Sequence, residues 1–439
     1  MTLNPLAKQL NETIEARNPH IFSMLSGTGK ALFFPKGLIS QGAEAKEKAH
    51  RINATIGIAK EGGRTMAFET VTNFINNIPP RDSLTYASSY GIPALRTLWR
   101  EKLIEKNPSL AGKSFSLPVV TNGITHGIST LADLWADPGD TIIAPDMMWG
   151  NYNMIFGVKR GANFIHYPFF GSNGGFNLAG FKQALREGAA TNKKIIVILN
   201  FPHNPTGYTV SKDEGKAMVD ILIAEAERGT HVIAACDDAY FGLFFEEETL
   251  KESLFAQLCN CHPRLLAVKL DGATKENYVW GLRVGFITYG SLFEDTAEPV
   301  YEALEKKTAG CIRGTISNAS HVGQSIVLKS MQDKRYANEK AEKFDVLKKR
   351  AARVNAVLSD PKYLDGFSAY PFNSGYFMCI RLKTVDAEAL RRHLLDKYQV
   401  GLISLGKTDL RVAFSCLEES EVSDLFDTIL LGIKELESA

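Results

Sequence analysis

The stretch Leu270 to Gly285, LDGATKENYVWGLRVG, places one lysine, Lys275, directly after the small and hydroxyl residues Gly272, Ala273 and Thr274. A lysine amine can bond covalently to a carbonyl, and small neighbours let a flat ring lie against the backbone. Arg283 lies between Gly281 and Gly285, and its planar fork can hold a phosphate through paired N–H donors. Taken alone the pair is weak evidence, because most lysines are solvated. Other loops add residues of matching chemistry: Asn204-Pro205-Thr206-Gly207, Asp237-Asp238-Ala239-Tyr240, Met148-Trp149-Gly150-Asn151-Tyr152 and Gly123-Ile124-Thr125. Each of these, read singly, is an ordinary turn, helix start or core aromatic.

The elements that must position them alternate. Apolar runs at Leu117 to Thr121, Thr141 to Ala144, Asn163 to Tyr167, Lys194 to Leu199, Val232 to Ala235 and Leu265 to Leu270 read as strands. Ile92 to Lys106, Thr125 to Trp135, Leu178 to Glu187 and Lys212 to Arg228 have helical spacing. Such alternation implies an α/β fold with a mostly parallel sheet covered on both faces, with ligands beyond the carboxyl ends of its strands. Val322 to Leu358 reads as a long charged helical region bridging two units. Beyond it, strands at Gly375 to Leu382 and Leu410 to Phe414 and helices at Val385 to Tyr398 and Glu421 to Glu435 suggest a smaller α+β domain. The expected division is 72–324 for the large domain, and 1–71 with 325–439 for the small domain with its N-terminal arm.

Composition narrows the partners. With 50 basic and 49 acidic residues the net charge is +1, so no basic field invites nucleic acid or an anionic membrane. No apolar run reaches a membrane span, and the polar start lacks a signal-peptide core, which points to the cytoplasm. Six scattered cysteines lack disulfide density, and Cys259-x-Cys261-His262 has no second ligand pair, so no metal is expected. Ser26-Gly27-Thr28-Gly29-Lys30 misses the earlier glycine of a phosphate loop.

In this order and spacing, the motifs resemble a fold-type I pyridoxal phosphate enzyme, specifically a class I/II aminotransferase of the aspartate aminotransferase kind, over roughly Ile52 to Ser415. The resemblance implies pyridoxal 5′-phosphate as cofactor, Lys275 as covalent anchor and proton shuttle, and Asp237 as partner of the ring nitrogen. Tyr240 and Asn204 would donate to the ring hydroxyl, and Trp149 would stack on the ring. Gly123, Ile124, Thr125, Thr274 and Arg283 would hold the phosphate, joined by Tyr86 from a neighbouring subunit of a homodimer. Arg411 would grip the substrate α-carboxylate, with Gly57, Trp149 and Asn204 beside it, and Arg313 would favour dicarboxylates.

Two positions depart from the pattern. Gly272 stands where many relatives carry a hydroxyl, which removes one possible phosphate donor, and Asp238 adds a carboxylate without a role in that chemistry. The implied reaction moves an amino group between an L-amino acid and a 2-oxo acid in ping-pong order. A β-eliminating carbon–sulfur lyase is the alternative on the same architecture, and a non-catalytic pyridoxal phosphate-binding regulator is a third.

Overall fold

The six apolar runs and one further strand, Val284–Gly290, assemble into one sheet, in the order Val119–Asn122, Val284–Gly290, Leu265–Gly272, His231–Asp237, Lys194–Asn200, Thr141–Pro145 and Asn163–Tyr167. All run in one direction except Val284–Gly290, which is antiparallel to both neighbours. Successive side chains of a strand point to opposite faces, and Ile195, Ile196 and Val197 are each fully buried, so both faces of the sheet centre are covered. The structure, a computed structural model, describes residues 3–34 and 38–438. Positions 1–2, 35–37 and 439 of the expected small domain lie outside the described residues.

Helices Ile124–Trp135, Leu178–Thr191 and Lys212–Glu227 pack on the sheet near where their sequence periodicity places them. The last begins with a capping box, in which Ser211 and Glu214 satisfy each other's backbone N–H groups. The sequence reading omitted the Val284–Gly290 strand and most of the Glu298–Thr315 helix.

The expected helical region from Val322 to Leu358 is two helices, His321–Gln332 and Tyr336–Leu358. Asp333 separates them, accepting from the Arg335 N–H at 2.9 Å and from its guanidinium. The expected boundary at 324/325 therefore falls inside the first helix.

A second, wholly antiparallel sheet has the order Phe367–Ala369, Met378–Leu382, Asp409–Val412, Ile403–Leu405. Ile52–Asn53 pairs in parallel with Val400–Gly401, tying the N-terminal segment to this region. Helix Tyr336–Leu358 ties segments near both sheets together. Its Glu339 accepts from the Thr70 hydroxyl at 2.8 Å, its Lys340 pairs with Glu276, and its Lys343 pairs with Glu61 at 2.7 Å. Farther along, buried Arg350 donates to the carbonyls of Lys60 and Ser415 at 2.6 and 2.8 Å. Among the described residues, no helix is long and apolar enough to cross a membrane.

Candidate active site

Parallel strands deliver their following loops to one edge of a sheet, and here those loops share a cleft. Ile124, Thr125, Trp149, Asn204, Asp237, Tyr240 and Lys275 line a cleft open to solvent. Asp237 ends the His231–Asp237 strand, and Lys275 sits on the short helix Ala273–Glu276 that follows Leu265–Gly272.

Lys275 points its amine over the Tyr240 ring, 4.9 Å from the centroid. Burial lowers its pKa to about 8, the nearby Arg283 guanidinium acts in the same direction, and Asp237 opposes both. Its carbonyl accepts from the Tyr376 hydroxyl at 2.9 Å, so the second sheet's side of the molecule also fixes this loop.

Asp237 is buried, which pushes its carboxyl up to about 6 against the hydrogen bond from Tyr152 and the charge of Lys275. Its Oδ1 accepts from the Ala239 N–H at 3.2 Å, and its carbonyl accepts from Asn200 Nδ2 at 2.8 Å. Asn200 Oδ1 in turn takes the Asn204 N–H at 2.8 Å.

A second group of donors gathers where Ile124–Trp135 begins. Gly123 has φ +78°, and a Cβ there would lie 2.5 Å from Arg283 Nη2, so only glycine admits the guanidinium against the helix N-terminus. The Thr274 hydroxyl is buried with no hydrogen-bond partner among the described residues. An arginine held against a helix start, with a buried unpaired hydroxyl on the residue before Lys275, is chemistry that fits a phosphate group.

The Gly272 departure follows from packing. A Cβ at Gly272 would sit 2.6 Å from the Val284 carbonyl oxygen and 2.9 Å from Gly285 Cα, its partner in the antiparallel ladder. Gly285 is pressed in turn against Gly123, with a Cβ there falling 2.6 Å from the Gly123 carbonyl carbon. Three backbones meet where a serine would need room.

Asp238 likewise acquires a structural explanation. It faces away into the core, accepting from Lys269 and from Ser253 Oγ at 2.6 Å, while Lys269 also lies 3.7 Å from Asp271. Trp99 Nε1 donates to Asp271 at 3.1 Å. The second carboxylate is thus neutralised beneath the cleft, and Asp237 alone faces it.

At the opposite side, Arg411 is buried against the Phe377 ring, 4.1 Å from its centroid. It donates to Asn204 Oδ1 at 3.2 Å and to the Thr55 carbonyl at 2.9 Å, while its Nε has no partner among the described residues. Because the Asn204 oxygen is committed to Arg411, its Nδ2 is the atom left to donate. Gly57 borders the same space: a Cβ there would stand 3.2 Å from Phe377 and 3.6 Å from the Tyr240 hydroxyl.

Two expected residues do not join the cleft within one chain. Tyr86 is 92% exposed, and Arg313 is exposed at the end of its helix, donating to Ser317 Oγ at 3.0 Å.

A family model for aminotransferase class I and II matches residues 66–429. The chain belongs to this family. An aspartate aminotransferase from Geobacillus stearothermophilus is 26% identical over 205 residues, covering 46% of this chain and 47% of that protein. The chain spans about half the length of the curated relatives it matches. Among solved structures, an aminotransferase from Anaerococcus prevotii superposes with a TM-score of 0.82 at 24% identity, covering 93% of this chain and 99% of that one. A kynurenine aminotransferase from Pyrococcus horikoshii, solved with PMP, gives 0.78 at 17%, covering 95% and 99%. At these identities the structural likeness is one of fold.

Within this class I and II aminotransferase chain, the sequence reading missed three residues that hold the cleft together: Tyr152, Asn200 and Tyr376. Tyr152 lies in the motif that supplied Trp149, and Asn200 ends the apolar run Lys194–Asn200. A polar residue closing a buried strand was the available signal. Tyr376 carried none, since its role depends on how the two sheets meet.

Proposed function

We propose that the protein is a pyridoxal phosphate-dependent aminotransferase, acting in the cytoplasm as a homodimer on an L-amino acid and a 2-oxo acid. The observation that carries this reading is the meeting, in one cleft, of a lysine with a lowered pKa, a buried carboxylate and a phosphate-type donor set, with a buried arginine at the far side. Residues 72–324 would bind the cofactor, while the unit formed by 1–71 and 325–439 would contribute Arg411 and Gly57.

Pyridoxal phosphate supplies an electrophilic carbonyl and an electron-withdrawing ring. Gly123, Ile124, Thr125, Thr274 and Arg283 would hold its phosphate, Trp149 its face, Asp237 its nitrogen, and Tyr240 with Asn204 its hydroxyl. Lys275 Nζ would serve as the anchor and as the base that removes and returns the α-proton of the substrate. A base so placed contributes on the order of 10² to 10⁴ in rate. Arg411 grips the α-carboxylate in a bidentate pair, and the buried aromatic wall of Tyr240 and Phe377 limits water.

Mixing the cofactor-loaded protein with single amino acids and following the cofactor absorbance tests the reading: conversion by an amino acid, reversed by an oxo acid, is expected. Lys275→Ala should retain bound cofactor and lose turnover. Undiminished turnover in that variant would reject the assignment. The carbon–sulfur lyase reading finds no support among the relatives named above.

A further inference from the structure

Tyr152 leads into a helical turn and Asp237 ends a strand 85 residues later, yet their side chains meet inside the protein. They are 2% and 5% exposed, and the phenol hydroxyl donates to Asp237 Oδ2. With Oδ1 taken by the Ala239 N–H, each carboxylate oxygen has a donor within the protein. Tyr152 is itself braced. Its N–H bonds to the Trp149 carbonyl at 3.1 Å, and its ring meets the Trp149 ring edge-on, with centroids 5.4 Å apart at 90°. Directly after it the chain widens into a π-helical turn, Asn153–Val158, a form common beside functional sites.

Burial favours the neutral form of Asp237, and the phenol opposes that tendency by donating to the charged form. Burial beside Asp237 also holds the Tyr152 phenol well above its usual range, so it serves as a donor and not as an anion.

We propose that Tyr152 is a positioning residue for the cofactor ring: by donating to Asp237 Oδ2 it keeps that carboxylate charged and oriented, so the ring proton stays on the ring nitrogen. One short segment, Trp149 to Tyr152, then supports both the face and the nitrogen end of the ring. The inference rests on the pyridoxal phosphate reading above. It goes beyond that reading by assigning control of proton location to a residue outside the ring's immediate contacts.

The test uses the full-length protein loaded with pyridoxal phosphate labelled with ¹⁵N in the ring, comparing the wild type with Tyr152→Phe. Removing the donor makes Asp237 more basic and draws the proton from the ring nitrogen toward the carboxylate. The ¹⁵N shift should move toward the neutral-pyridine value. The ratio of protonated to neutral nitrogen should fall roughly tenfold, the equivalent of one charge-assisted hydrogen bond. Turnover number should fall with little change in KM. Replacing Tyr152 with 3-fluorotyrosine, a stronger donor, should move the ¹⁵N shift the opposite way, and this measurement decides the matter if the Phe variant does not fold.

A wild type that takes up no pyridoxal phosphate overturns the functional reading and this inference with it. Uptake with an unchanged ¹⁵N shift in the altered proteins overturns this inference alone.

Discussion

Lys275 holds its proton less tightly than a free lysine, and this has two measurable consequences. Below about 8 the fraction of free amine falls tenfold per pH unit, so capture of pyridoxal phosphate by the cofactor-free protein should accelerate with pH and level off above about 8. Stopped-flow absorbance measures this, and a rate that fell across the same range would contradict the assignment of Lys275 as anchor. The second consequence is for stability. A lysine titrating near 8 in the folded chain and near 10.5 in the unfolded one binds fewer protons when folded. It therefore destabilises the fold at neutral pH, and that cost fades as pH rises from about 8 toward 10.5. Lys275→Met should raise the Tm of the cofactor-free protein at pH 7, with the gain shrinking toward pH 10.

At the scale of elements, the close approach of the Gly272, Gly285 and Gly123 backbones governs what the anchor loop tolerates. Gly272→Ser adds the hydroxyl that the family resemblance would lead one to expect, but its Cβ has no room beside the Val284 carbonyl. Overpacking of this kind costs about 1–3 kcal/mol. The variant should melt earlier and release cofactor faster, and tighter cofactor retention would refute the packing explanation. The same elements mark the reach of the sequence. The parallel strands were legible because buried strands read as continuous apolar runs. Val284–Gly290 was not: it carries glycine near one end and at the other, and follows directly on the Arg283 motif. The break at Asp333 was hidden by helix-forming neighbours on both sides. In the site, residues whose chemistry is their own could be named from motifs, as with Lys275 and Asp237. Tyr152 and Asn200 act by touching other residues, and only the folded chain brings those contacts together.

For the whole molecule, the exposure of Tyr86 and its absence from the cleft of its own chain fit a role across a dimer. Complementation separates the possibilities. Hybrid dimers of Lys275→Ala and Tyr86→Ala chains should recover activity, because the intact lysine of one chain then meets the intact tyrosine of the other. If Tyr86 serves its own chain, the hybrid gains nothing. Arg313 belongs to the same scale: Arg313→Ala should weaken conversion by aspartate or glutamate while sparing alanine, and equal loss for all substrates would remove its selective role. The helix Tyr336–Leu358 touches the N-terminal segment, the loop carrying Lys275 and the region after the second sheet, through Thr70, Glu276, Glu61, Lys60 and Ser415. Because this one helix is tied both to the loop carrying Lys275 and to the segment after the second sheet, unfolding of either region breaks ion pairs or buried hydrogen bonds of the helix, and the two regions should melt together. Calorimetry should record one endotherm, and two separable transitions would refute this coupling.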